Sequence, residues 1–334
     1  MRVLPSLVIF MVLVDTALVG ALLERNHFFQ SGAARAETVV VVRPHSSLTT
    51  IAEELQTAGA VDSALLFRAS VILRRKNAQL KAGEYAFPAH ASEAQIMGMM
   101  VARKVIEHRI TIAEGLTSDM AVAIVNADPV LTGPAPVLPE GSLLPETYLF
   151  ERGTTRTEIL ARMHKAQVTL LAQLWPKRKD GLPFMSVDDA LKLASIVEKE
   201  TAIASERPRV AAVYVNRLKN GMKLEADPTI IYGLTKGVAL GHALRQSELA
   251  APNPYSTYQI DGLPPTPICN PGRSALAAVL KPLDSGEFYF VADGSGGHVF
   301  AKTKAEQDKN VAQWRKLENQ AKSTHSDPQL LRLR

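Results

Sequence analysis

Two carboxylates in three residues, Glu198-Lys199-Glu200, close the apolar stretch that starts at Val187. A protonated carboxyl gives its proton to a leaving oxygen, and the ionised form takes one back, so this pair is the first candidate for acid–base chemistry. At about 100° per residue, Val187, Ala190, Leu191, Leu193, Ala194, Ile196 and Val197 fill one broad arc of a helix. Glu198 and Glu200 fall on the two flanks of that arc, about 160° apart, and Lys199 points to the polar side. Carboxylates placed in this way cannot form the roughly 5–9 Å pair that brackets a bond in ordinary glycosidases. If either is catalytic it works without the other, and periodicity leaves open which one.

The elements that must position this helix are legible around it. Ser186, ahead of Val187-Asp188-Asp189, suits an N-cap. A second helix is expected over 206–219, with Gly221 as its C′ residue, and an amphipathic helix over Thr155–Leu174. After Asp227 the chain is rich in proline and reads as loop, with turn chemistry at Asp227-Pro228-Thr229. Phe288–Ala292 and His298-Val299-Phe300 flank a glycine-rich turn and predict a hairpin. Earlier in the chain, Val39–Val42 predicts a strand and Ser46 or Ser47 a cap. A helix follows with Leu48, Ile51, Ala52 and Leu55 on one face, and Ala60-Val61-Asp62-Ser63 restarts a second helix through Leu66, Ala69 and Ile72. Lys81–Phe87 predicts a returning strand and Glu107–Ile112 another. This βααβ order resembles a LysM domain, although Arg43-Pro44-His45-Ser46 lacks the expected turn glycine. The end of the chain after about Lys316 is polar and is expected to fray.

The chain has 334 residues, 46% of them hydrophobic and 21% charged, values that exclude a largely disordered or collagen-like protein. The net charge of +5 suits a mildly anionic surface or polymer and does not call for nucleic acid. With Cys269 the only cysteine there is no internal disulfide and no cysteine-based zinc site, and the histidines have no HExxH spacing. No GxGxxG or GxxxxGK[ST] is present, so neither a metal nor an organic cofactor is expected. Leu4–Leu23 is the most apolar run, and its twenty residues span about 30 Å as a helix. Asp15 within it costs about 2.5–3.5 kcal/mol on insertion. The run reads as an uncleaved anchor, since the small-x-small triplet Ala34-Arg35-Ala36 lies beyond the reach of a signal-peptide core. The rest of the chain then lies on one side of the membrane, outside the cytoplasm. The expected organisation is α+β: an anchor (1–24), a linker (25–37), a LysM-like βααβ module (38–104), a larger α+β domain carrying the carboxylates (105–320) and a polar tail (321–334).

A long ordered series of motifs surrounds the glutamates. It runs from Leu193-Ala194-Ser195-Ile196-Val197-Glu198-Lys199-Glu200-Thr201 through Ala204–Arg207, Val213–Leu218, Gly221–Leu224 and Asp227–Gly233. It continues with Pro254–Tyr258, Gly262–Ile268 and Asn270-Pro271-Gly272. From about Val39 to Gln313 the chain resembles the MltG/YceG-like family of membrane-anchored endolytic murein transglycosylases. The resemblance implies cleavage of the β-1,4 bond between N-acetylmuramic acid and N-acetylglucosamine within glycan strands, leaving 1,6-anhydro ends. It makes Glu200, the second Glu of the VEKE run, the sole acid and base. It also implies peptidoglycan glycan strands and membrane-embedded wall-synthesis proteins as partners, and a single-pass inner-membrane protein with a periplasmic body. A non-catalytic, anchored wall-binding or scaffold protein is the competing class.

Further candidates for contact with substrate are Asn216, Asp227, Thr229, Tyr255, Thr257, Tyr258, Asn270 and His298. Asn216 is either a ligand to a glycan amide or to Glu200, or a structural cap. Tyr255, Thr257 and Tyr258 sit in a proline-flanked loop, where aromatic faces either stack on sugars or pack beneath the loop. His298 reads as a core histidine or a site residue. Glu206 and Arg207 read as helix-end charges, and Cys269 as a buried small side chain.

Overall fold

The computed structural model describes residues 3–325, without the side chains of 3–7, 9 and 320–325. The chain divides into two compact units, one of residues 1–109 and 149–154, the other of 110–148 and 155–334. Helix α1 (Val3–Phe29) opens the first unit. It is followed by β1 (Thr38–Val42), α2 (Leu48–Thr57), α3 (Ala64–Leu73), β2 (Gly83–Phe87) and α4 (Glu93–Val101). Strands β1 and β2 pair antiparallel, from Thr38 opposite Phe87 to Val42 opposite Gly83. Ser47 Oγ accepts from Thr50 N at 3.1 Å to cap α2. Ser92 and Gln95 form a reciprocal capping box at the start of α4. In place of a turn glycine, His45 takes the left-handed conformation, with φ of 65°.

The core of this unit joins Val40, Val42, Leu55, Phe67, Val71, Tyr85, Phe87, Ile96 and Met100. Helix α3 runs through Leu66, Ala69 and Ile72 as expected, and it buries Ala64, Phe67, Ser70 and Val71 while Leu66 and Ile72 are exposed. The helix is apolar almost all round, and the large Phe67 ring fixes which side goes in. Among the described residues no helix is long and apolar enough to cross a membrane. The expected anchor lies within α1, and its first side chains lie outside the described residues.

Strands β3 (His108–Thr111) and β4 (Thr147–Phe150) pair, and the division between the units falls within both. The second unit holds α5 (Ser118–Ala127), α6 (Arg156–Leu174), α7 (Val187–Glu200), α8 (Arg207–Lys219), α9 (Asp227–Thr235), α10 (Gln246–Ala250) and α11 (Arg273–Leu280). It ends with the hairpin β5 (Tyr289–Ala292) and β6 (His298–Ala301), then α12 (Lys304–His325). Helices α7, α8 and α11 pack on one another around Leu193, Ile196, Val197, Val210, Ala211, Tyr214, Leu276 and Val279. Two expectations are corrected here. Asp227-Pro228-Thr229 is the first turn of α9, where the missing amide of Pro228 costs nothing. The chain also stays helical to His325, beyond the expected fraying point, and the polar tail from 326 onward lies outside the described residues.

Phe67 is fully buried and Ile72 largely exposed, so their truncations separate. Phe67→Ala is expected to cost about 3–5 kcal/mol, and Ile72→Ala less than about 1 kcal/mol, in denaturant unfolding of the chain. Equal costs would refute the assigned face.

Candidate active site

Ser186 Oγ caps α7 by accepting from Asp189 N at 3.1 Å. The helix buries Ala190, Leu193, Ala194, Ser195, Ile196 and Val197. Ser195 ties it to a distant segment: its Oγ accepts from Ile268 N at 3.0 Å, and its carbonyl accepts from the buried Cys269 Sγ at 3.3 Å. The last turn then delivers the two glutamates to different surroundings.

Glu198 is structural by its contacts. Its side chain is only 4% exposed, and Oε1 accepts from Arg207 Nη2 at 2.8 Å. Oε2 accepts from Gly272 N at 2.9 Å. Arg207, itself buried, also reaches Glu114 at 3.4 Å. A Cβ on Gly272 would lie 1.7 Å from Glu114 Oε1, so any other residue there requires the Glu114 side chain to swing aside. Burial raises the Glu198 carboxyl above its ordinary value, partly offset by the Gly272 amide and Arg207.

Glu200 is half-buried, and Oε1 accepts from Tyr214 Oη at 2.6 Å. Among the described residues, Oε2 has no protein hydrogen-bond partner. Burial pushes this carboxyl up to about 7, against the pull of the Tyr214 hydroxyl. Of the neighbouring charges, Asp227 raises it further, while His298 and Arg217 lower it. A carboxylic acid that keeps its proton near neutral pH and has one oxygen free can donate that proton to a ligand and take one back.

The ring of groups around Glu200 comes from three further elements. Asp227, in the first turn of α9, accepts from Tyr258 Oη at 2.7 Å. On β6, His298 is fixed twice by Glu206: its backbone N donates to Oε1 at 3.0 Å, and Nδ1 lies 2.8 Å from Oε2. Phe290 lies edge-on to both Tyr214 and His298, with centroids 5.9 and 5.3 Å away.

The remaining expected site residues are held by the scaffold. Asn216 does not bond Glu200, and its Nδ2 donates to the carbonyls of Ser285 and Glu287 at 2.8 and 2.9 Å. Thr229 and Thr257 are fully buried and share a 3.0 Å hydroxyl contact. Asn270 is buried and joins Leu116, Ser118 and Leu143, with its Oδ1 accepting from Leu143 N at 2.9 Å. Tyr255 packs edge-on to Tyr232 and bonds Thr266 at 3.0 Å. Arg217 donates to the carbonyls of Phe288 and Leu224 and to Glu225.

Sequence reasoning missed Tyr214 and took Glu206 and Arg207 for helix-end charges. Tyr214 was hidden among Val210, Ala211, Val213 and Val215. A hydroxyl on so apolar a helix needs a buried acceptor, and that was the available signal. Glu206 carried no local signal, because its partner His298 lies 92 residues away, and Arg207 pairs with Glu198 nine residues back, across the break between two helices.

The model of the YceG-like family matches residues 40–313. An endolytic murein transglycosylase of Bacillus subtilis is 35% identical over 172 residues, 51% of this chain and 46% of that protein. One from Streptococcus pneumoniae is 32% identical over 180 residues, 52% of this chain and 32% of that protein. The match thus spans less than half the length of these relatives. The crystal structure of a yceG-like protein from Listeria monocytogenes aligns over 83% of this chain and 99% of its own, with 27% identity and a TM-score of 0.52.

Two stability measurements test the geometry. Glu198→Gln leaves buried Arg207 without its main counter-charge and is expected to cost about 3 kcal/mol. Glu200 keeps its proton to about pH 7 when folded and loses it near the ordinary glutamate value of 4.5 when unfolded. Between these values the folded state binds more protons, so stability falls as pH rises through that window. Glu200→Gln has no such penalty, and its Tm relative to the parent is expected to climb from about pH 5 to about pH 8. A flat difference in thermal melts across that range would refute the raised carboxyl.

Proposed function

The chain belongs to the YceG-like family, and from that premise we propose that it is an endolytic peptidoglycan lytic transglycosylase with Glu200 as its single acid and base. The observation that carries this reading is the Glu200 carboxyl, raised to about 7, with Oε1 on Tyr214 and Oε2 open. The names of the matched relatives support the substrate class.

In the proposed reaction, protonated Glu200 gives its proton to the glycosidic oxygen between N-acetylmuramic acid and N-acetylglucosamine. The C1–O bond breaks, and positive charge develops at C1. The C6 hydroxyl of the same muramic residue attacks C1, and Glu200, now a carboxylate, takes the proton of that hydroxyl. The acid is restored, no water is consumed, and the product carries a 1,6-anhydro end. Tyr214 holds the carboxyl in one rotamer through both steps. The pair of Asp227 and Tyr258 and the fixed ring of His298 are proposed as walls for the sugar.

The wider reading is a protein held at the inner membrane by a single N-terminal helix, with its body in the periplasm. The side chains of Phe10, Leu13, Leu18 and Leu23, exposed on different sides of α1, support that placement. In this reading the βααβ module is LysM-like and orients the enzyme on glycan, and membrane-embedded wall-synthesis proteins are its neighbours.

The test is mass spectrometry of murein digested by purified protein. Internal cuts with anhydro-muramic ends are expected from the parent. Glu200→Gln, with its fold checked by circular dichroism, is expected to lose about 10⁴-fold or more, and Glu198→Gln far less once its lower stability is allowed for. Reducing ends without anhydro product would indicate a hydrolase. An active Glu200→Gln would refute the assignment, and a parent that binds but does not cut would favour the scaffold.

A further inference from the structure

The first unit holds a second group of buried ionisable atoms, far in sequence from the glutamates of α7. The C-terminal part of α1 is bolted to the end of α3: Glu24 Oε1 accepts from Ser70 Oγ at 2.6 Å and pairs with Arg74 Nη1 at 2.5 Å. The Arg74 guanidinium lies 3.5 Å from the centroid of the Phe28 ring, which is itself buried. The segment after α1 is stitched to the chain before α4. Gly32 N donates to His90 O at 3.2 Å, and His90 N donates to Ala34 O at 2.7 Å. A Cβ at Gly32 would lie 2.3 Å from the Ala91 carbonyl oxygen, so the two segments touch backbone to backbone.

These contacts enclose a cavity of about 200 Å³ lined by His27, Gln30, Ser31, Asp62, Ala91 and Glu93, among others. The Glu93 side chain is 7% exposed and lines this cavity, yet among the described residues neither of its oxygens has a hydrogen-bond partner. His27 Nε2 is likewise buried without one, 3.3 Å from Glu93 Oε1 but misaligned for a hydrogen bond. Each such atom left unpaired costs about 1–3 kcal/mol, more if charged. The cavity thus offers three acceptors without donors, counting the imidazole as its Nδ1–H tautomer.

We propose that this cavity is a binding site for a primary ammonium group, whose three N–H donors satisfy Glu93 Oε1, Glu93 Oε2 and His27 Nε2. The donor count matches the acceptor count, and Asp62 adds an acidic side chain to the lining. A divalent metal fits less well, because among the described residues no three acidic, histidine or cysteine side chains group to hold one. A quaternary ammonium lacks the N–H donors altogether. A free amine, the ethanolamine head of a phospholipid and the side-chain amine of a diamino acid share the required chemistry.

The test uses the full-length chain labelled with [15N]histidine, with His27 assigned through His27→Gln. Ethanolamine is expected to shift the His27 ring nitrogens saturably, and tetramethylammonium at equal ionic strength is not. Glu93→Gln, checked for folding, is expected to weaken the effect about tenfold or more. No saturable shift, or an equal response to tetramethylammonium, would overturn the proposal, and this contrast on the parent decides even if the variant misfolds. An undiminished response in Glu93→Gln would overturn it too. Vesicles of phosphatidylethanolamine against phosphatidylcholine, and Nα-acetyl-lysine, then separate lipid from peptide as the source.

Discussion

The buried ion pair between Glu198 and Arg207 is the interaction on which the second unit depends. It joins the last turn of α7 to the first turn of α8 across a connection of only six residues, 201–206. Because Gly272 donates to the same carboxylate, the start of α11 is locked to the same point. Three helices that share a core are thereby registered at one end by a single side chain. The buried Glu198 carboxylate is tolerated here because it is hydrogen-bonded by the Gly272 amide as well as paired with Arg207. With α7 and α8 fixed in this way, Tyr214 comes to lie beside Glu200, since both sit at set heights on helices that can no longer slide.

The environment of Glu200 is a balance rather than a simple burial. A wholly apolar setting would hold the carboxyl neutral well beyond physiological pH, and an adjacent cation would hold it ionised. The Tyr214 hydroxyl favours the ionised form, Asp227 disfavours it, and Arg217 and His298 act from further out. Arg217 and His298 are both committed elsewhere, the first to the carbonyls before α9 and β5, the second to Glu206. Their charge is felt at Glu200 without their side chains being free to collapse onto it. That division lets a half-buried acid sit near neutrality without forming a salt bridge that would disable it.

Much of the scaffold was legible in the sequence, and the illegible parts share a cause. Helix α7 announced itself through its capping Ser186 and a 3.6-residue apolar rhythm, α6 through its amphipathic rhythm, and α8 through the glycine beyond its end, Gly221. The β5–β6 hairpin did so through its glycine-rich turn. The face of α3 was not legible, because a helix that is apolar on every side has no rhythm to read. Helix α9 was hidden by Asp227-Pro228, which opens a helix as readily as it makes a turn. Within the site, the angular separation of Glu198 and Glu200 was sound, but which of them is spent on structure depends on Arg207 and Gly272. Tyr214 escaped notice because its ring belongs to the core and only its hydroxyl belongs to the site. Asn216, Thr229, Thr257 and Asn270 read as ligands because they are polar in a motif-rich region. Each is held as a tie between segments remote in the chain, Asn216 half-buried and the other three buried.

Gly272 shows how such packing bears on the history open to the chain. A single methyl group there would overlap the Glu114 carboxylate, while the amide of the same residue holds Glu198. Drift at this position is therefore closed to every other amino acid as long as Glu114 keeps its length and place. A larger residue becomes admissible when the partly exposed Glu114 side chain swings aside or shortens, and either move gives up the second acceptor of Arg207. The freedom of position 272 is thus set by how far the side chain at 114 can move.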